Sequence, residues 1–75
     1  MTTVQRVRDL AKEHKLSLSK LADMSGINYS TLRTTRERNG EYSVDTITRI
    51  CHALGISLSD FFEPWGEERK HEQAG

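Results

Sequence analysis

Between residues 28 and 39 the chain carries Asn28, Tyr29, Ser30, Thr31, Arg33, Thr34, Thr35, Arg36, Glu37, Arg38 and Asn39 around one apolar side chain, Leu32. All but Leu32 end in hydrogen-bonding groups, and the arginines add planar donor forks that suit phosphates and carboxylates. This is binding chemistry rather than bond-making chemistry. The usual catalytic side chains are poorly placed for work together. His14, His52 and His71 are far apart, and none sits at metal-ligand spacing from the single Cys51. No nucleophile–base pairing, phosphate-cradling glycine loop or carboxylate pair stands out. The sequence therefore predicts no enzyme, no metal site and no cofactor, with Cys51 a small buried hydrophobe.

So polar a run must be held by other elements, and five short helices account for them. Thr2 can N-cap the first, with Gln5 completing a capping box, and Val7, Leu10, Ala11 and His14 recur as one buried stripe. Ser17 caps a second, whose inner face is Leu18, Leu21 and Ala22, and Gly26 turns the chain in the left-handed conformation. Asn28 caps a third helix running to about Arg38, anchored only by Ile27 and Leu32. Its threonines and serine make it a poor helix in isolation, so something other than core packing explains its composition. A loop follows over 39–42.

Ser43 caps a fourth helix, with Val44, Ile47, Ile50, Cys51 and Leu54 on one face and Gly55 at its end. Ser57 and Asp60 cap a fifth reciprocally, with Leu58, Phe61 and Phe62 facing inward and Pro64 as its stop. The expectation is an all-α domain over 1–64 and a polar, flexible tail over 65–75.

Seventy-five residues make one modest core. No stretch approaches the ~20 apolar residues of a membrane span, and the N-terminus lacks the pattern of a secretion signal. A lone cysteine suits a reducing compartment, so a cytoplasmic protein is expected. Net charge is zero, yet it is unevenly placed. Residues 1–38 hold eight basic and four acidic side chains, and the remainder holds three basic and seven acidic ones. That asymmetry fits a cationic face toward phosphates with acidic surface elsewhere.

Helix, tight glycine turn and polar helix is the architecture that lays a second helix in the DNA major groove. The segment from Leu16 to Leu32, LSLSKLADMSGINYSTL, resembles the Cro/repressor (XRE-like, lambda repressor-like) helix-turn-helix family. The pattern usual there is Leu-Ser-Gln-x-x-Leu-Ala-x-x-Ser-Gly-Ile-Ser-x-Ser-Thr-Ile. Agreement continues through Ser43-Val-Asp-Thr-Ile, Ile50 and the run from Ala53 to Phe62, covering about residues 4–62. The resemblance implies a five-helix domain whose second and third helices contact double-stranded DNA, and a sequence-specific transcriptional regulator, commonly a repressor.

Carried over by position, Tyr29, Ser30, Arg33 and Thr34 would face base edges. Arg33 suits a bidentate bond to guanine, and a threonine methyl suits thymine. Tyr29 could instead cap the domain, partly buried, and Arg33 could be an ordinary solvated arginine. Ser17, Ser19, Thr31, Arg36, Arg38 and Asn39 would contact phosphates and fix orientation. Several positions depart from the family pattern. Leu18 stands where a phosphate-contacting Gln is usual, and Thr35 where an apolar residue is usual. Ala11 and Arg36 replace a frequent Arg–Glu pair. The loop glycine falls two residues late, at Gly40, so a differently shaped loop is expected.

One such module buries little surface for tight specific binding, and the family answer is a two-fold dimer on a pseudo-palindrome. Ile56, Phe62 and Trp65 form the apolar patch for that contact, although Trp65 could equally fold over its own core. A rival reading is a protein-interaction module, such as an antitoxin or an antirepressor-bound regulator. Neutral net charge and the absent Gln favour it, and a regulatory protein partner is compatible with DNA binding.

Overall fold

Hydroxyl or amide side chains open every helix of the computed structural model. Thr2 and Gln5 form the reciprocal capping box of α1 (Thr3–Glu13), and Ser17 accepts from the Lys20 amide to start α2 (Leu18–Ser25). Asn28 accepts from the Ser30 amide at the head of α3 (Tyr29–Glu37), and Ser43 from Thr46 at the head of α4 (Val44–Leu54). Ser57 and Asp60 cap α5 (Leu58–Ala74) in both directions. The structure describes the backbone of residues 1–74 and the side chains of residues 1–66. Among these residues there is no strand.

Four helices end alike. The chain turns left-handed at Lys15 (φ 58°), Gly26 (φ 66°), Asn39 (φ 54°) and Gly55 (φ 70°). The next amide then reaches back to the helix: Leu16 to the Ala11 carbonyl, Ile27 to Ala22, Gly40 to Thr35 and Ile56 to Cys51, at 2.8–3.1 Å. These are Schellman motifs, which satisfy carbonyls that a helix end would otherwise orphan. Two use glycine, one uses asparagine, and Lys15 holds the conformation without either advantage.

Val7, Leu21, Leu32, Ile50 and Phe61 are almost wholly buried, one from each helix, so all five helices share one core. Val4, Leu10, Ala11, Ala22, Ile47 and Cys51 complete it, together with Tyr42 from the loop. The α2 helix lies centrally, against α1, α3 and α4, and α5 packs on α4. Burial pushes the Cys51 thiol above its ordinary range, as suits a packing residue.

Four sequence expectations are corrected. His14 is exposed and caps α1 instead of joining its buried stripe. Val44, at 71% exposure, and Leu58 point away from the core. Both occupy the first helical position, where a side chain leans back past the helix end and off the packed surface. Phe62 is also partly exposed, at 39%, its ring edge-on to buried Phe61 with centroids 4.9 Å apart.

Pro64 does not stop α5, which continues to Ala74. The ring removes the amide that would serve the Asp60 carbonyl, but the Arg6 guanidinium serves it instead at 2.8 Å and the Phe61 carbonyl at 2.7 Å. Gly75 and the side chains of 67–75 lie outside the described residues, while the backbone of 65–74, expected as a flexible tail, continues α5.

Candidate nucleic-acid interface

The geometry of the polar helix follows from its one anchor. Leu32 is fully buried and Ile27 half-buried, so α3 touches the core along a single edge. Tyr29, Ser30, Arg33 and Thr34 all lie exposed, and Tyr29, Ser30 and Arg33 share a face at helical spacing. Tyr29 is 39% exposed, so its side chain is partly covered and partly open to solvent. Arg33 Nε forms an ion pair with the Glu37 carboxylate at 3.3 Å, with both side chains more than half exposed. Such an i,i+4 pair contributes about 0.3–0.5 kcal/mol, less than the about 1–3 kcal/mol of a good bidentate base contact. The ion pair is thus too weak to keep Arg33 from a base edge.

The first turns of α2 and α3 enclose an open cleft of about 420 Å³ lined by Ser17, Ser19, Lys20, Asp23, Ile27 and Tyr29 among others. Ser17 and Ser19 are thereby brought beside Tyr29. The Ser17 oxygen accepts the Lys20 amide at 3.1 Å, which leaves its hydroxyl hydrogen for an outside acceptor. Lys20 belongs to the same cleft and was not singled out by motif. Its place three residues after the N-cap was the available signal.

Arg36, Arg38 and Asn39 sit apart from that cleft, at the C-terminal end of α3. Asn39 takes the left-handed position of the loop, one residue after the position where the family pattern usually has glycine. Arg36 is exposed and Ala11 buried, so no charge is stranded where the Arg–Glu pair is missing. Arg6, counted with the cationic half, is withdrawn from any such face. Its head is spent on α5, and it lies 5.9 Å from the Phe61 ring centroid.

The loop also ties α3 to α1. The Tyr42 hydroxyl donates to the Leu32 carbonyl at 2.9 Å, and the Tyr42 amide donates to Thr3 Oγ1 at 2.8 Å. Burial pushes the Tyr42 phenol up, against a smaller opposite pull from Arg36. Beside it the Glu41 carboxylate accepts from both the hydroxyl and the amide of Thr3, at 2.6 and 2.8 Å, at the α1 N-terminus. Those bonds hold its carboxyl below the ordinary range.

Residues 6–65 match the family model of the Cro/C1-type helix-turn-helix DNA-binding domain. The chain belongs to that family. In this Cro/C1-type domain α2 and α3 are the helix-turn-helix, and the turn is made by Gly26, Ile27 and Asn28. The domain is 26% identical over 58 residues to the HTH-type transcriptional regulator PuuR of Escherichia coli (strain K12), and equally to that of Shigella flexneri. Each match covers 77% of this chain and 31% of the relative, so the chain spans about a third of the length of these regulators. No solved structure gives a significant match. Among the described residues no helix is long and apolar enough to cross a membrane, and no group of His, Cys, Asp and Glu could hold a metal ion.

Proposed function

We propose that the domain is a sequence-specific DNA-binding regulator, a repressor acting as a homodimer on a pseudo-palindromic operator, with no catalytic activity of its own. One observation carries this reading: Tyr29, Ser30, Arg33 and Thr34 project from a helix held to the core by a single edge. Those four side chains read base edges in the major groove, with Arg33 on guanine. Ser17, Ser19, Thr31, Arg36, Arg38 and Asn39 contact phosphates and set the docking angle, with Lys20 beside them. The similarity to transcriptional regulators supports the regulatory role. A cytoplasmic location follows from a DNA target.

The dimer contact is assigned to Ile56, Phe62 and Trp65. Phe62 is exposed, while Ile56 and Trp65 pack partly on the core, with Phe62 and Trp65 centroids 5.2 Å apart. Trp65 therefore serves its own core and the patch together. Exposed Leu58 extends the same apolar surface.

Selection of bound sequences from a random duplex pool, followed by titration at several salt concentrations, tests the function. The selected site should show a log–log salt slope of roughly −5 to −9 for a dimer. A flat response with no selected sequence favours a protein-interaction module instead.

A further inference from the structure

A second pocket, of about 260 Å³, lies between α1, the start of α2 and the end of α3. Its apolar lining is Val4, Ala11, Leu16 and Leu18, with Tyr42. Its rim is cationic: Arg8, Lys12 and Arg36. Among the described residues no carboxylate lines it, and none of the three cations is paired with one. The recess lies where α1 presents Ala11, whose side chain is a single methyl, beside the exposed Arg36 of α3. Three like charges around one apolar recess, with no carboxylate beside them, favour an anion there.

We propose that this pocket binds a small amphipathic monoanion, a carboxylate carrying a short apolar chain. The volume lies below the ~300–1,000 Å³ of sites for drug-sized ligands, so the ligand is smaller than those. A DNA phosphate would engage the cations and leave the apolar floor bare. A short-chain carboxylate uses both, burying its methylenes on Ala11, Leu16 and Leu18 with its head at the rim. Because Arg36 belongs to α3, occupancy neutralises a cation next to the DNA-facing side.

The test is a titration of the DNA-free protein with sodium octanoate, followed by amide NMR shifts at Ala11, Leu18 and Arg36. Saturable shifts at those residues are expected, with octanoate binding at least about tenfold more tightly than acetate, since each buried methylene adds ~0.8 kcal/mol. Octylamine, with the same chain and opposite charge, should not saturate the site. Lys12→Gln and Arg36→Gln should each weaken octanoate binding roughly two- to fivefold. Ala11→Leu should block it, and the charge variants decide the matter if that variant fails to fold. Equal binding of octanoate, acetate and inorganic phosphate, saturation by octylamine, or affinity indifferent to the charge variants would overturn the proposal. No DNA is present, so either result leaves the DNA reading to its own test.

Discussion

Arg6 donates to the Asp60 carbonyl oxygen at 2.8 Å, the acceptor that Pro64 cannot serve from within its own helix. A proline seven positions into a helix ordinarily costs about 3 kcal/mol, partly through the orphaned carbonyl. Here a side chain from α1 supplies the missing donor, so the break is repaired across 54 residues of sequence. Arg6→Ala should destabilise the domain by about 1.5–3 kcal/mol, the range for bonds from a charged donor. In a Pro64→Ala background the penalty should shrink, because Asp60 regains an intrahelical partner. A double-mutant cycle by urea denaturation measures that coupling.

Lys15 occupies the left-handed region with a full side chain in open solvent. Lys15→Gly should raise stability by about 0.5–1 kcal/mol, and Asn39→Gly by less, since asparagine tolerates that conformation. Denaturant midpoints at constant m-value are the measurement. An unchanged midpoint for Lys15→Gly would mean the strain is relieved elsewhere.

Glu41 titrates below its ordinary value of 4.5 because Thr3 donates two hydrogen bonds to the carboxylate. A depressed folded value means the stabilisation is fully present above the ordinary value and fades as pH falls through the lowered one. Parent and Glu41→Gln should therefore differ in stability near neutral pH and converge in acid. Urea unfolding between pH 3 and pH 7 (roughly the window that ordinary carboxylate values set) checks it, and a constant difference would refute the assignment.

On DNA, Arg33→Ala should reduce discrimination at one base pair by about 1–3 kcal/mol. Arg38→Ala should weaken selected and random duplexes alike and flatten the salt slope by about 1. Equal losses from both variants on both duplexes would remove the distinction between base-reading and phosphate-holding side chains.

For the dimer, Phe62→Ser leaves the buried core intact because Phe62 is exposed. Sedimentation should show the variant shifted toward monomer relative to the parent. Identical mass distributions would exclude Phe62 from the contact.

The caps were legible in the chain, since Thr2, Ser17, Asn28, Ser43 and Ser57 each act within three residues of themselves. The turns at Gly26 and Gly55 were equally local. What escaped was long-range. Nothing near Pro64 announces Arg6, and nothing near Thr3 announces Glu41. Periodicity misplaced Val44 and Leu58 because it ignores that a first-turn side chain overhangs its helix end. The exposed set on α3 was visible as composition, whereas Tyr42 was passed over as part of a loop although it is buried.

The Tyr42 bridge also bears on how the protein would meet a duplex. Its phenol donates to the Leu32 carbonyl partway along α3, while its amide donates to the Thr3 hydroxyl oxygen. Roll or slide of that helix is thus resisted by a strut that runs through Tyr42 to the start of α1. If α3 enters a groove as proposed, a change at Thr3 should alter the angle at which that helix docks rather than remove a contact.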